Sequence, residues 1–329
     1  MAINPKSGKS PARTPALIAQ MDAEFKANNK LFGLADIRTK DYLAYSYTKP
    51  EQDREFELVD KKPGDISSKQ CSNKIVLTNQ PHFYETEAKM WLDNKDNLRH
   101  TLVSNRKTHL DKFKNEYQLN DKEVLRGFKI SGKHVGFSHF NPLWARWFIE
   151  EYDIKTLYDP CGGWGHRLLG VANRIDKYIY NDFDSRTVDG CKQIAINHGI
   201  TNAVFYNKDS ASFIPKEKYS CVFTCPPYYN IETYKDTTFK NLDDYKQWWN
   251  NTVKHSLKDD VKTFAYVINH THYDSLKEIC ESHGLVFKDK HEVGKALGHF
   301  SRSGKDPKKV EYLVVFENGQ STIKRIQKP

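Results

Sequence analysis

The sequence predicts an α/β fold: a mostly parallel sheet covered by helices over residues 131–329, preceded by a mainly helical extension over 17–130 and a flexible basic arm over 1–16. Three observations predict it. From about residue 126, short apolar bursts alternate with amphipathic stretches, the pattern of strands joined by crossover helices. The first burst runs straight into a glycine-rich turn, DPCGGWG at 159–165. Acidic residues, Asp182 and Asp209, stand at or just past the ends of the next two bursts.

The elements follow in order. The arm at 1–16 holds prolines, serines and only basic charges, a composition that does not support a core. Helical spacing is present at 17–28, 85–98 and 105–117, while 50–73 is polar, carries the break Lys62-Pro63-Gly64-Asp65 and reads as loop. In the second half, strands are expected at 156–158, 178–180, 204–206, 221–223, 264–268, 285–287 and 312–316. Helices are expected at 167–174, 186–198, 245–257 and 275–281. The pairs Trp144/Trp147 and Trp248/Trp249 fit helices packing on the sheet.

Composition excludes several classes. Hydrophobic residues make up 38% and aromatic residues 13%, enough to fill a core, so wholesale disorder is excluded. No run of about 18 apolar residues is present, and the basic N-terminus has no apolar stretch behind it, so neither a membrane span nor a secretory signal is expected. Six cysteines at scattered positions form no disulfide framework, which points to a reducing, cytoplasmic setting. The net charge of +9 suits a polyanionic partner.

In open parallel sheets, ligands sit beyond the carboxyl ends of the strands. The glycines of the first turn admit a close backbone approach, and Asp159 is an acceptor that a phosphate-binding turn would avoid. Asp182 suits the two hydroxyls of a ribose, and Asp209 with Ser210 lies where a side chain can reach an adenine amine. Together these strand ends describe a pocket for an adenosine with a cationic, non-phosphorylated tail, and S-adenosylmethionine is such a ligand. His270, His272 and Asp274 read as loop residues, because their spacing lacks a third set ligand. Cys225 precedes two prolines, an order that argues against a covalent nucleophile.

The fourth strand end reads Thr224-Cys225-Pro226-Pro227-Tyr228-Tyr229. With DPCGGWG at its proper separation upstream, residues 134–318 resemble the class I S-adenosylmethionine-dependent methyltransferases that modify exocyclic amines of DNA bases, at adenine N6 or cytosine N4. Phe140-Asn141-Pro142 is similar to the family's segment at the methionine end of the cofactor. The resemblance implies a Rossmann-like sheet with helices on both faces. It implies cofactor contacts from Phe140, Pro142, Asp159, Cys161, Gly163, Trp164, Gly165, Asp182, Phe183, Asp209, Ser210 and Thr224. It further implies a catalytic turn of Cys225, Pro226, Pro227 and Tyr228. The Pro226 carbonyl and Cys225 would accept from the target amine, and Tyr228 would stack on a flipped base. Cys225 departs from the polar residue usual there, and a thiol is a weak acceptor. Little chain is left for a separate recognition domain. DNA contact is therefore expected from Tyr229, from residues 17–130, and from basic loop residues Arg302, Lys305, Lys308 and Lys309. The alternatives are RNA or a nucleotide as substrate, or a nucleic-acid-binding protein that keeps the pocket without catalysis.

Overall fold

The computed structural model describes residues 47–67, 73–80, 139–229, 239–295 and 310–319. The arm, the helical stretches at 17–28, 85–98 and 105–117, and the basic loop at 298–309 lie outside the described residues.

Two short helices come first, α1 (Lys49–Lys61) and α2 (Lys74–Asn79). The first corrects the loop reading of 50–73. Glu51 reaches back to the N–H and hydroxyl of Thr48 at 2.9 and 3.0 Å and closes the helix start, with a proline in the first turn. Apolar periodicity missed it because its buried face is Gln52, Glu55 and Val59. Those polar groups are satisfied by tertiary partners: Glu55 accepts the Ile75 N–H at 3.2 Å, and Gln52 accepts from Asn79 at 3.0 Å. The helix ends where Lys62-Pro63 was expected to break the chain. Its last carbonyls, of Val59, Asp60 and Lys62, accept from the buried guanidinium of Arg146. These helices pack on the C-terminal fold: the described residues 47–67 and 73–80 belong to one compact unit with it.

After α3 (Pro142–Glu151), strands and helices alternate as β1 (Thr156–Asp159), α4 (His166–Val171), β2 (Lys177–Asp182), α5 (Ser185–Asn197), β3 (Ala203–Asn207) and β4 (Cys221–Thr224). They continue as α6 (Leu242–Ser256), β5 (Thr263–Asn269), α7 (Tyr273–Ser282), β6 (Leu285–Lys295) and β7 (Val310–Asn318). The seven strands lie in the order β3-β2-β1-β4-β5-β7-β6. The first five are parallel, and β7 runs antiparallel between β5 and β6. This is the α/β sheet that the strand–helix alternation predicts. The strand expected at 285–287 extends to Lys295, through register shifts after Phe287 and Glu292.

Strand side chains alternate between two cores. Leu157, Tyr178, Tyr180, Phe223, Val267 and Val315 meet α2, α3, α4 and α5 through Ile75, Phe148, Leu168 and Ile194. Tyr158, Ile179, Val222, Phe264, Tyr266 and Phe316 meet α6 and α7 through Tyr245, Trp249, Leu276 and Cys280. Trp249 is fully buried against Phe264 and Tyr266, as its helical spacing predicts. The winding reverses between β1 and β4, which are direct neighbours. Both sequence motifs stand at the carboxyl ends of this pair, the position where such sheets open a crevice. Among the described residues, no helix is long and apolar enough to cross a membrane.

Candidate active site

The loop after β1 folds against its neighbours through a few buried groups. The Gly162 N–H donates to the Asn181 carbonyl at 2.7 Å, and a side chain at this position would run into the Tyr180 ring. Gly165, at φ 104, starts α4 from the left-handed region that glycine adopts without penalty. The Tyr180 hydroxyl donates to the Gly163 carbonyl at 2.6 Å. Asp182 receives the N–H groups of Gly163 and Asp184 at 2.8 and 3.0 Å. Burial of the carboxyl group raises its pKa to about 6, against the lowering effect of those two backbone bonds. Beside it Phe183 is 54% exposed, an open aromatic face at the end of β2.

Asn181, in β2, joins the loops that follow β1 and β3. Its amide donates to the carbonyls of Pro160 and Lys208, each at 3.0 Å, and its oxygen accepts the Lys208 N–H at 3.0 Å. Gln80, fully buried at the end of α2, donates to the carbonyls of Trp164 and Thr187 at 3.1 Å each and so fixes the far side of the glycine turn. Asp209 is exposed, and its carboxylate caps the Ala211 N–H at 3.0 Å. Ser210 is buried and accepts from Thr252 of α6.

Three expectations are revised by these contacts. Asp159 has a cation already. It accepts from Arg167 through Nε at 2.6 Å and Nη2 at 3.3 Å, and from the Tyr178 hydroxyl at 2.7 Å. A fully buried carboxylate needs such partners, so its role is internal. Thr224 is also fully buried, and its hydroxyl accepts the Cys161 N–H at 3.1 Å, which ties the first loop to β4. Tyr228 is only 6% exposed and donates its hydroxyl to Glu311 at 3.0 Å. Its ring is packed in the second core, which leaves it little face for a base.

The remaining candidates fall where the strand ends place them. The Cys161 sulfur lies 3.9 Å from the Ser210 hydroxyl, and burial pushes its thiol well above the ordinary value, so it stays neutral. Trp164 is half-buried against the first core. Phe140 lies under the Arg167 guanidinium, 5.1 Å from its central carbon to the ring centre, and Pro142 is buried as the first residue of α3. At β4, Pro226 is buried, while Cys225 and Pro227 are half-buried. The Cys225 thiol faces the Tyr228 hydroxyl at 3.8 Å. Tyr229 stacks on Tyr245 at 5.7 Å, and its carbonyl meets the His272 ring nitrogen at 3.0 Å. That contact holds His272 in a 3-10 turn, His270–His272, which leads into α7, where a loop was expected. Arg302, Lys305, Lys308 and Lys309 lie outside the described residues.

Sequence reasoning missed Arg167, Asn181, Gln80 and Glu311. Two carried a signal: Arg167 is a charge directly before the apolar run 168–171 of α4, and Asn181 sits inside a β-branched and aromatic strand where asparagine is disfavoured. Gln80 and Glu311 gave none.

No family model matches the chain, and no curated protein sequence matches it. Solved structures do. TrmN from Thermus thermophilus is 14% identical over 54% of this chain and 49% of that one, so the match spans about half its length, at a TM-score of 0.41. A magnesium protoporphyrin IX methyltransferase, ChlM from Synechocystis PCC 6803, is 10% identical over 53% of this chain and 76% of that one, at a TM-score of 0.39. A ribosomal protein L11 methylase from Lactobacillus delbrueckii subsp. bulgaricus is 10% identical over 54% and 77%, also at 0.39. The functional reading rests on the strand-end geometry.

Proposed function

We propose that this chain is a methyltransferase that binds S-adenosylmethionine across the ends of β1 and β2 and methylates an exocyclic amine of a base in DNA, at adenine N6 or cytosine N4. The observation that carries the reading is the meeting of the two motifs at the sheet's switch point, joined by the Cys161 N–H on the Thr224 hydroxyl. The residues fit the cofactor. Asp182 offers a carboxylate to the ribose hydroxyls, Phe183 offers an aromatic face to the adenine, and the turn at 162–165 brings backbone close with few side chains in the way.

When bound, the cofactor supplies an electrophilic methyl group on a sulfonium. The chain's part is to present the acceptor. The lone pair of a base amine is delocalised into the ring and is a poor nucleophile. Hydrogen bonds from both N–H groups to the Pro226 carbonyl and Cys225 turn the nitrogen toward tetrahedral geometry and aim its lone pair. The two prolines hold that carbonyl stiffly. Tyr228, bonded to Glu311, backs this turn from inside the fold, and Tyr229 is the aromatic nearer the surface. The net charge of +9 favours a polyanionic substrate.

The test is incubation with tritiated S-adenosylmethionine and unmethylated duplex DNA, RNA or free nucleotides in parallel, followed by mass spectrometry of the labelled nucleoside. Label in N6-methyladenine or N4-methylcytosine of DNA is expected. Label in RNA alone, or on nucleotides alone, overturns the DNA assignment.

A further inference from the structure

A ligand that spans from Asp182 at the end of β2 to Cys225 at the end of β4 must cross the end of β1, which lies between them in the sheet. On the reading above, the amino-acid tail of the cofactor lies there. That tail carries a carboxylate, and a carboxylate leaves water only for a cation or several donors. The cation at this strand end is Arg167, only 4% exposed in the first turn of α4.

Its donors are divided in a telling way. Nε and Nη2 are committed to the two oxygens of Asp159, and Nη2 also reaches the Cys161 carbonyl. Nη1 makes no hydrogen bond among the described residues, although a guanidinium carries five N–H groups. The guanidinium lies over the Phe140 ring. Asp159, Tyr178 and Phe140 thus hold the guanidinium in one orientation, with one edge satisfied and Nη1 left over.

We propose that Arg167 is the carboxylate receptor of the cofactor site: Nη1 donates to the α-carboxylate, and Asp159 is a positioning residue that aims the guanidinium without taking all of it. This revises the sequence expectation that Asp159 itself contacts the cofactor. It also makes the pocket selective for a cofactor with an intact amino-acid tail. A charge-assisted bond of this kind contributes more than a neutral one.

The test compares calorimetric affinities for S-adenosylmethionine and for its decarboxylated form, which keeps the sulfonium and the amine. The wild-type protein is expected to bind the decarboxylated form at least about tenfold more weakly. In Arg167→Gln that gap shrinks below about threefold, because the intact cofactor alone loses affinity. Arg167→Lys, which keeps the charge but cannot serve Asp159 bidentately, gives an intermediate gap and guards against a variant that does not fold. A wild-type protein indifferent to the carboxylate overturns the proposal. So does a full gap surviving in either folded variant, or an equal weakening of both ligands, which marks a purely structural role. If the wild-type protein binds neither ligand, the cofactor reading itself falls, and this proposal falls with it.

Discussion

The two sides of the switch point are built differently. On the side of β1, β2 and β3, the loops are held by polar groups with short, well-directed bonds: Asn181 to three backbone partners, Asp182 to two N–H groups, and the Cys161 N–H to Thr224 across on β4. On the side of β4, β5 and β7, the turn rests on rings, with Tyr229 on Tyr245, Tyr245 on Trp248 and Phe239 beside both, and on one phenol–carboxylate bond. Hydrogen-bonded loops have one satisfied geometry and lose heavily when a partner goes. Aromatic packing tolerates rearrangement at smaller cost. The first construction suits a ligand that is always the same, and the second an acceptor that must enter and leave.

Breaking the polar side should produce the largest effect. Asn181→Ala strands the buried Pro160 carbonyl and removes the partner of the Lys208 carbonyl and N–H, and the fold is expected to lose about 2 kcal/mol in denaturant unfolding. Cofactor binding should be lost with it. A well-folded variant with wild-type affinity would show that the loops do not need this staple.

On the other side, Tyr228→Phe and Glu311→Gln each remove one bond behind the acceptor turn. Turnover is expected to fall about tenfold, with cofactor affinity within about twofold. A parallel drop in affinity would mean that the two halves are not separable.

The pH dependence sharpens the comparison again. On the proposed reading the ionised form of Asp182 accepts from the ribose, and burial raises its pKa to about 6. Calorimetric affinity should therefore fall as pH is lowered through about 6, rather than near the ordinary aspartate value of about 4. The native state holds this proton more tightly than the unfolded chain does. Acidification from 7 toward 4 thus favours the fold at this residue while it weakens the ligand. A pH-independent affinity between 7 and 5 counts against Asp182 as the ribose acceptor.

The smallest change is expected at Cys225. A hydroxyl accepts better than a thiol, so Cys225→Ser should keep turnover within about threefold of wild type or raise it. A dead but folded serine variant together with a trapped protein–DNA adduct would establish covalent catalysis instead.

Much of this arrangement was legible in the chain. The bursts at 156–158, 178–180 and 221–223 are strands, and the turns that follow them meet at one crevice, because strand periodicity and glycine or proline punctuation are local properties. What escaped was of another kind. The polar helix Lys49–Lys61 has no apolar stripe, since its inward face is satisfied by a backbone N–H and a side chain of α2, distant in sequence. Asp159 and Tyr228 were correctly placed at strand ends, but that Arg167 and Tyr178 would meet the first and Glu311 the second was set only by folding.

By itself, then, the sequence determined the alternation of elements, the position of each turn and the residue types available at the crevice. Only the tertiary structure decided that β7 inserts antiparallel beside β5, bringing Glu311 to Tyr228, and that a guanidinium of α4 occupies the carboxylate at the end of β1. The reason is physical. Backbone conformation follows from neighbours along the chain, whereas the partner of a buried charge or phenol is whichever group the packing brings within about 3 Å.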